Sequence, residues 1–484
     1  MIKAFTNRIG LSLIALLSVT GYSQIQQPQA PTPGGFQPVT ISSPQPSSYP
    51  QFYNQTYAPQ HFNAPIKMGA IANDVINSPR QPRELAMNNA VAQKQQELEQ
   101  LIRDVQTSQQ RFAGNKDLAA AYYRLAPNPE RTKDFPAALK RLEDMLNGRL
   151  KLSVADAYYT VEAAYGNPYL TRQQYNDIIS KSAAFIKAWM IENGLNPKDN
   201  YQVQFAIQKF MSETLTVTKS SINKDLNTHL DAETHLPFYY DYNDYEGQKD
   251  YRNLFVTKCL ATGFGQCASM PVVYLILAEA LGVKAYLSFA SYHSFVKYPD
   301  NNGNIINYEP TSNWEITDKW YKDNMFISAE AVASGIYLDT LNYKQVVANC
   351  AFDLALEYIK VDRTGDESMI LNCLKVGVPH FPKNNNLPSL FIYSIHLKTM
   401  LREIMRRNGV TSLDDIDKIP VAKKYYQEYL GNEAYIVKLG YQDMPPGMYE
   451  EMLNQQEFKG EIQKGYNVSG KEKRSLFTKS NDKK

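Results

Sequence analysis

The chain has 484 residues, with 51 Lys and Arg against 49 Asp and Glu, and four cysteines. That length allows two or three domains. So even a charge balance removes the electrostatic grounds for nucleic-acid or anionic-membrane binding, and four cysteines are too few to scaffold a chain this long with disulfides.

Lys3 and Arg8 precede an apolar run from Ile9 to Val19, and Gly21-Tyr22-Ser23 follows with small residues at the cleavage positions. Residues 1–23 therefore read as a secretory signal peptide cut before Gln24. The run is too short to span a bilayer. No later stretch reaches about 18 uninterrupted apolar residues, so the mature chain is expected to carry no transmembrane segment. A periplasmic or extracellular location follows. Residues 24–82 are rich in Gln, Pro, Ser, Asn and Tyr. Such a segment buries too little apolar surface to offset its ordering entropy, and it reads as a disordered tether.

A helical region spans 83–169, beginning with strong helix formers in "ELAMNNAVAQKQQELEQLIRDVQTSQQRF". The next segment, 170–345, opens with "TRQQYNDIISKSAAFIKAWMIENG", where Ile178, Ile179, Ala183, Ile186 and Trp189 recur at helical spacing. Within it, 236–252 is dense in Tyr and Asp and reads as a loop or lip, open between packing and turn chemistry on one side and a ligand site on the other. Residues 346–458 are helical again, as antiparallel pairs. Their "FPKNNN" turn looks like the end of a tetratricopeptide-type repeat, over one and a half repeats. Residues 459–484 form a charged, disordered tail.

The most informative stretch is "GQCASMPVVYLILAEALG", 265–282. Pro271 fits only the first turn of a helix, which puts Cys267 at the helix start. Apart from Glu279, the residues from Val272 to Leu281 are apolar and cover every side, the mark of a core helix, and Gly282 is a natural stop. A thiol at the positive end of a buried helix is placed to become a thiolate. The bland reading, a buried inert cysteine, weighs equally on this stretch alone.

"VKAYLSFA" (283–290) then reads as a strand, and "HSFVKYPDNNGNIINYEPTS" as two strands joined at Pro-Asp-Asn-Asn-Gly. A three- or five-residue loop centred on Asn301 sets His293 directly opposite Glu309, with Cβ atoms about 4.5–5.5 Å apart. A two-residue Asn302-Gly303 turn, which Asn-Gly favours, puts Glu309 on the other face. In the first register Cys267, His293 and Glu309 form a nucleophile, a base and an orienting carboxylate. The Cys267 N–H is then a candidate oxyanion donor. The second donor is not evident from sequence.

"GQCASMPVVYLILAEALGVKAYL", "HSFVKY" and "NYEPTS" together resemble the core of the transglutaminase-like superfamily, a papain-like cysteine fold. That family shows Gly-x-Cys opening a helix, a histidine at a strand start, and Asp-Pro-Thr ending the next strand. Cys267, His293 and Glu309-Pro310-Thr311 occupy those places in that order. Glu309 stands where the family usually has Asp. The specific match covers about 50 residues in a looser core of 170–345. It implies an α+β fold, a buried helix packed on an antiparallel sheet, flanked by N-terminal helices and a C-terminal helical region.

The expected activity is acyl transfer by a secreted cysteine enzyme, hydrolysing peptide or amide bonds in a protein or wall-peptide substrate, with no cofactor and no metal. The rival expectation is a non-catalytic scaffold of the same fold that binds a protein partner through its helical regions. A third is an assembly factor held by its tether and residues 328–484. Other side chains carry less. Cys259 lies eight residues before Cys267, which is not a zinc-ligand spacing. His380 and His396 read as surface and structural residues, and His229 with His235 as a weak metal candidate. Asn307, one pleat from Glu309, is open between lining the site and a plain strand role. Pairing of Cys350 with Cys373 is also left open.

Overall fold

The protein is described by a computed structural model, which covers residues 129–444 apart from 220, 224–227, 231, 363–366 and 410–412. The expected signal peptide, tether and tail lie outside the described residues, as does the first part of the N-terminal helical region.

Five helices come first: α1 (Pro129–Thr132), α2 (Phe135–Leu146), α3 (Val154–Tyr165), α4 (Arg172–Glu192) and α5 (Asn200–Ser212). Their starts are written locally. The Ser153 hydroxyl accepts from the Asp156 N–H at the head of α3, and Thr171 with Gln174 closes a capping box on α4. The buried stripe of α4 includes Tyr175, Ile179, Ala183, Ile186 and Met190. Ile178 and Trp189, expected on that face, are only half-buried.

Short strands follow: β1 (Leu215–Val217), β2 (Ser221–Asn223), β3 (Thr228–Leu230), β4 (Glu233–His235) and β5 (Tyr239–Tyr240). The segment read as a loop or lip thus contains a strand, and β5 pairs in parallel with β6 (Phe264–Gly265), which follows α6 (Val256–Thr262). The core helix α7 (Met270–Leu281) is buried from Met270 through Ala278 and ends at Gly282 with φ +75°. Neighbouring carboxylates cap two of these helices. Glu279 of α7 accepts from the Val154 and Ala155 N–H groups of α3. Glu162 of α3 accepts from the Val256 and Thr257 N–H groups of α6.

The main sheet is antiparallel, in the order β10 (Trp314–Glu315), β9 (Ile305–Glu309), β8 (His293–Pro299), β7 (Tyr286–Ala290). One face, with Val296, Tyr298 and Tyr308, packs on α7, where the Tyr274 and Tyr308 rings lie 5.3 Å apart. The other face carries His293, Phe295, Lys297, Asn307 and Glu309. It is covered by α8 (Asp318–Asn324), whose Tyr321 ring stacks on Phe295 at 4.1 Å.

After α9 (Ala329–Ser334), the chain continues as α10 (Tyr343–Val361), α11 (Glu367–Gly377), α12 (Leu387–Asn408), α13 (Leu413–Lys418) and α14 (Pro420–Lys438). α10 pairs with α11 and α12 with α14, while α10 also packs on α2 and α3. The N-terminal and C-terminal helices therefore share a core. Cys350 on α10 and Cys373 on α11 are buried thiols outside any disulfide. The described residues are mixed helix and sheet, an α+β arrangement, and none of their helices is long and apolar enough to cross a membrane.

Candidate active site

Cys267 sits in the turn that opens α7. The Gln266 carbonyl accepts from the Ser269 and Met270 N–H groups, so the helical hydrogen bonds begin one residue before the cysteine. The turn is tightly built. The Gln266 N–H donates to Ser269 Oγ, and the Gln266 amide donates to the Asn253 carbonyl. A Cβ on Gly265 would lie 2.6 Å from Cys259 Sγ and 2.7 Å from Ser269 Oγ, so only glycine fits there. The Ser294 hydroxyl donates to the Cys267 carbonyl at 2.5 Å, tying the turn to the start of β8.

His293 opens β8 directly after a two-residue turn, Ser291-Tyr292, in which Tyr292 takes φ +58°. A bulky residue in the left-handed region is a costly conformation, held by its surroundings. It lies one residue from the imidazole.

The register joining His293 to Glu309 differs from both expectations. Pro299 pairs with Ile305 and Val296 with Tyr308, so the loop is 300–304, centred on Asn302. The loop has odd length, and the two side chains share a face as the triad requires. They are not directly opposite: Glu309 aligns with Phe295, and His293 is its diagonal neighbour. Asp300 explains the centring. Its carboxylate accepts from the Asn302 and Asn304 N–H groups at 2.8 and 2.7 Å, and its own N–H donates to the Asn304 carbonyl. The reach of glutamate spans the diagonal, and His293 Nε2 hydrogen-bonds Glu309 Oε2.

The Glu309 carboxylate has four partners. Oε2 also accepts from the Tyr321 hydroxyl at 3.0 Å, while Oε1 accepts from the Thr311 N–H and hydroxyl at 3.1 and 2.6 Å. Burial works against its charge, but the imidazole and the Thr311 donors outweigh burial and hold it below the usual carboxylate range. Burial likewise opposes charge on His293, yet Glu309 and then the neighbouring Cys267 side chain raise it. With Nε2 engaged by Glu309, Nδ1 is the ring nitrogen left for sulfur. Cys267, His293 and Glu309 are 3%, 8% and 3% exposed, so solvent screens these charges little.

The other sequence candidates fall elsewhere. Asn307 shares the Glu309 face but donates to Asp318 at 2.8 Å, supporting α8. His235 stacks on Phe210 at 3.5 Å and is lowered to about 4 by burial, a packed neutral ring. His396 is buried within α12, and His380 is half-buried. The His229 side chain lies outside the described residues. Among those described, no cluster of His, Cys, Asp or Glu is placed to hold a metal.

Sequence reasoning gave no role to Thr311, Tyr321 or Ser294. Thr311 belongs to the quoted Glu-Pro-Thr, and its hydroxyl two residues after the carboxylate was the available signal. Tyr321 arrives from another element, and nothing in its local sequence announces it. No family model, curated protein or solved structure matches this chain.

Proposed function

We propose that the protein is a cysteine-dependent acyl-transfer enzyme of transglutaminase-like fold, exported by its N-terminal segment and hydrolysing peptide or amide bonds. One observation carries the reading: the Cys267 side chain lies beside an imidazole whose Nε2 is held by a buried carboxylate with four partners. A structural cysteine needs no such apparatus. Buried charges are costly, and they are kept where they do something an apolar core cannot.

His293 takes the Cys267 proton and keeps it as an imidazolium, while Glu309 fixes the ring and balances its charge. The thiolate adds to the acyl carbon. The imidazolium returns the proton to the departing amine, leaving a thioester. Water then attacks, giving its proton to His293, and the acid leaves as the thiolate reforms. Water is the default acceptor, so hydrolysis is favoured over cross-linking. Proteins and wall peptides are the substrates such an exported enzyme would meet.

The test compares the wild-type chain with Cys267→Ala on periplasmic extracts, reading new termini by mass spectrometry. Cleavages present with the wild type and lost with the variant are expected. Identical profiles would leave the scaffold reading, in which the helices α10 to α14 engage a protein partner.

A further inference from the structure

We propose that the Tyr240 hydroxyl is the side-chain donor which, with the Cys267 N–H, holds the oxyanion formed when Cys267 attacks its substrate. The inference rests on the acyl-transfer reading above and supplies the donor that reading lacks.

Three observations converge on this residue. The first is placement. β5 runs parallel to β6 with Tyr240 aligned to Gly265, two residues before the nucleophile, and the Asp241 N–H donates to the Gly265 carbonyl at 2.8 Å. The strand pair delivers the tyrosine to the cysteine turn from a part of the chain 27 residues away.

The second is an unused hydroxyl. The Tyr240 ring is half-buried, but its oxygen is shut off from solvent and has no hydrogen-bond partner of good geometry among the described residues. Leaving a buried hydroxyl without a partner is costly, so such a group calls for a purpose. The third is what the hydroxyl faces. Tyr240 lies close enough to the Cys267 side chain to interact with its charge and to approach hydrogen-bonding contact. Contact with the sulfur and the lack of a well-formed bond are compatible, because sulfur is a large, diffuse and weak acceptor. The hydroxyl is near the reacting atom without being committed to it.

Two neighbouring amides are occupied. The Gln266 amide, adjacent in sequence, is engaged by the Asn253 carbonyl at 3.0 Å, and Asn307 by Asp318. Burial, and then the neighbouring sulfur, raise the Tyr240 phenol, so it stays protonated and remains a donor throughout the working range.

In the step itself, the carbon–sulfur bond forms as the carbonyl π pair moves to oxygen. That oxygen accepts from the Cys267 N–H and the Tyr240 O–H without taking either proton. When the intermediate collapses, the pair returns to the carbonyl and the carbon–nitrogen bond breaks. The amine leaves with the His293 proton. Tyr240 thus gains in the transition state the hydrogen bond it lacks at rest, which is how an oxyanion donor accelerates a reaction.

The experiment measures two rates on the full chain and on Tyr240→Phe. Acylation is read as the burst of p-nitrophenolate from p-nitrophenyl acetate, and alkylation as the loss of free thiol to iodoacetamide, which forms no tetrahedral oxyanion. Acylation should fall by about 10²-fold or more, with alkylation unchanged. A site-specific fluorotyrosine at 240, which keeps the packing and changes only the phenol acidity, should alter acylation and leave alkylation alone. Equal acylation by wild type and Tyr240→Phe would overturn the proposal and leave the acyl-transfer reading standing. A parallel fall in both rates would overturn it too, making Tyr240 a group that activates the thiol. A wild-type chain that alkylates but gives no burst would remove the acyl-transfer reading and this proposal with it.

Discussion

At the scale of single residues, the proposed chemistry makes the His293–Glu309 pair the control of both reactivity and pH response. Alkylation of Cys267 at about pH 6.5, where an ordinary thiol is almost wholly protonated, should be fast in the wild type. It should drop by about 10²-fold in His293→Ala, the scale of a lost general base. Labelling that ignores the histidine would separate the two residues. Stability carries a second signature. The folded imidazole is raised to about 10, against about 6.5 in an unfolded chain. The native state therefore binds this proton more tightly. Its contribution is complete below the lower value and is lost as pH rises towards the upper one. Glu309, held low, acts in the opposite direction, and its contribution is lost as pH falls through its folded value. In Glu309→Gln the decline of melting temperature across the alkaline window should flatten. An unchanged slope would mean that the carboxylate does not hold the imidazolium.

At the scale of elements, the turn between β6 and α7 is the most constrained piece of the site. Cys259 Sγ, Ser269 Oγ and Met270 Cγ all lie within 2.9 Å of a Cβ built on Gly265. Gly265→Ala must push that turn away from α6 or break the Ser269–Gln266 bonds. A cost of about 1–3 kcal/mol is expected from overpacking, read by urea denaturation. Acylation should fall by more than stability alone predicts, because a small displacement of the nucleophile is enough. Full activity with unchanged stability would show that the turn tolerates a methyl group. β8 is anchored from both ends, by Ser294 on the Cys267 carbonyl and by Lys297 on Asp318 at 2.9 Å. Strand and turn therefore move together.

At the scale of the whole molecule, the sheet and the C-terminal helices depend on one another. Leu287 of β7 bridges Leu341, the Tyr343 hydroxyl donates to the Val283 carbonyl at 3.1 Å, and the Phe135 and Tyr358 rings meet edge to face at 5.3 Å. The end of α14 is tied back to α9, where Ser328 and Ser334 donate to the Gly440 and Leu439 carbonyls. A chain ended after Asn342 would lose α10, which buries most of its 19 residues against α2, α3 and α11. It should bind a hydrophobic dye and lose its near-ultraviolet signal while keeping helical content. A cooperative melt in that truncated chain would show that the sheet folds without the helices.

Sequence by itself determined the features that act over a turn or a pleat. Pro271 and the apolar run specified a buried helix with Cys267 at its mouth, and the spacing of His293 and Glu309 specified a shared face once the loop was odd. Caps such as Ser153, Thr171 and Asn342 were likewise written beside the helices they start. The register is also a local matter: Asp300 binds two loop N–H groups and centres the hairpin on Asn302, because a carboxylate with three donors outweighs the bare Asn-Gly preference. Tertiary structure alone decided which side chains surround the site. Tyr240 and Tyr321 reach the site through strand pairing and sheet coverage. Such contacts are set by the summed burial of many residues, and local sequence pattern does not encode them.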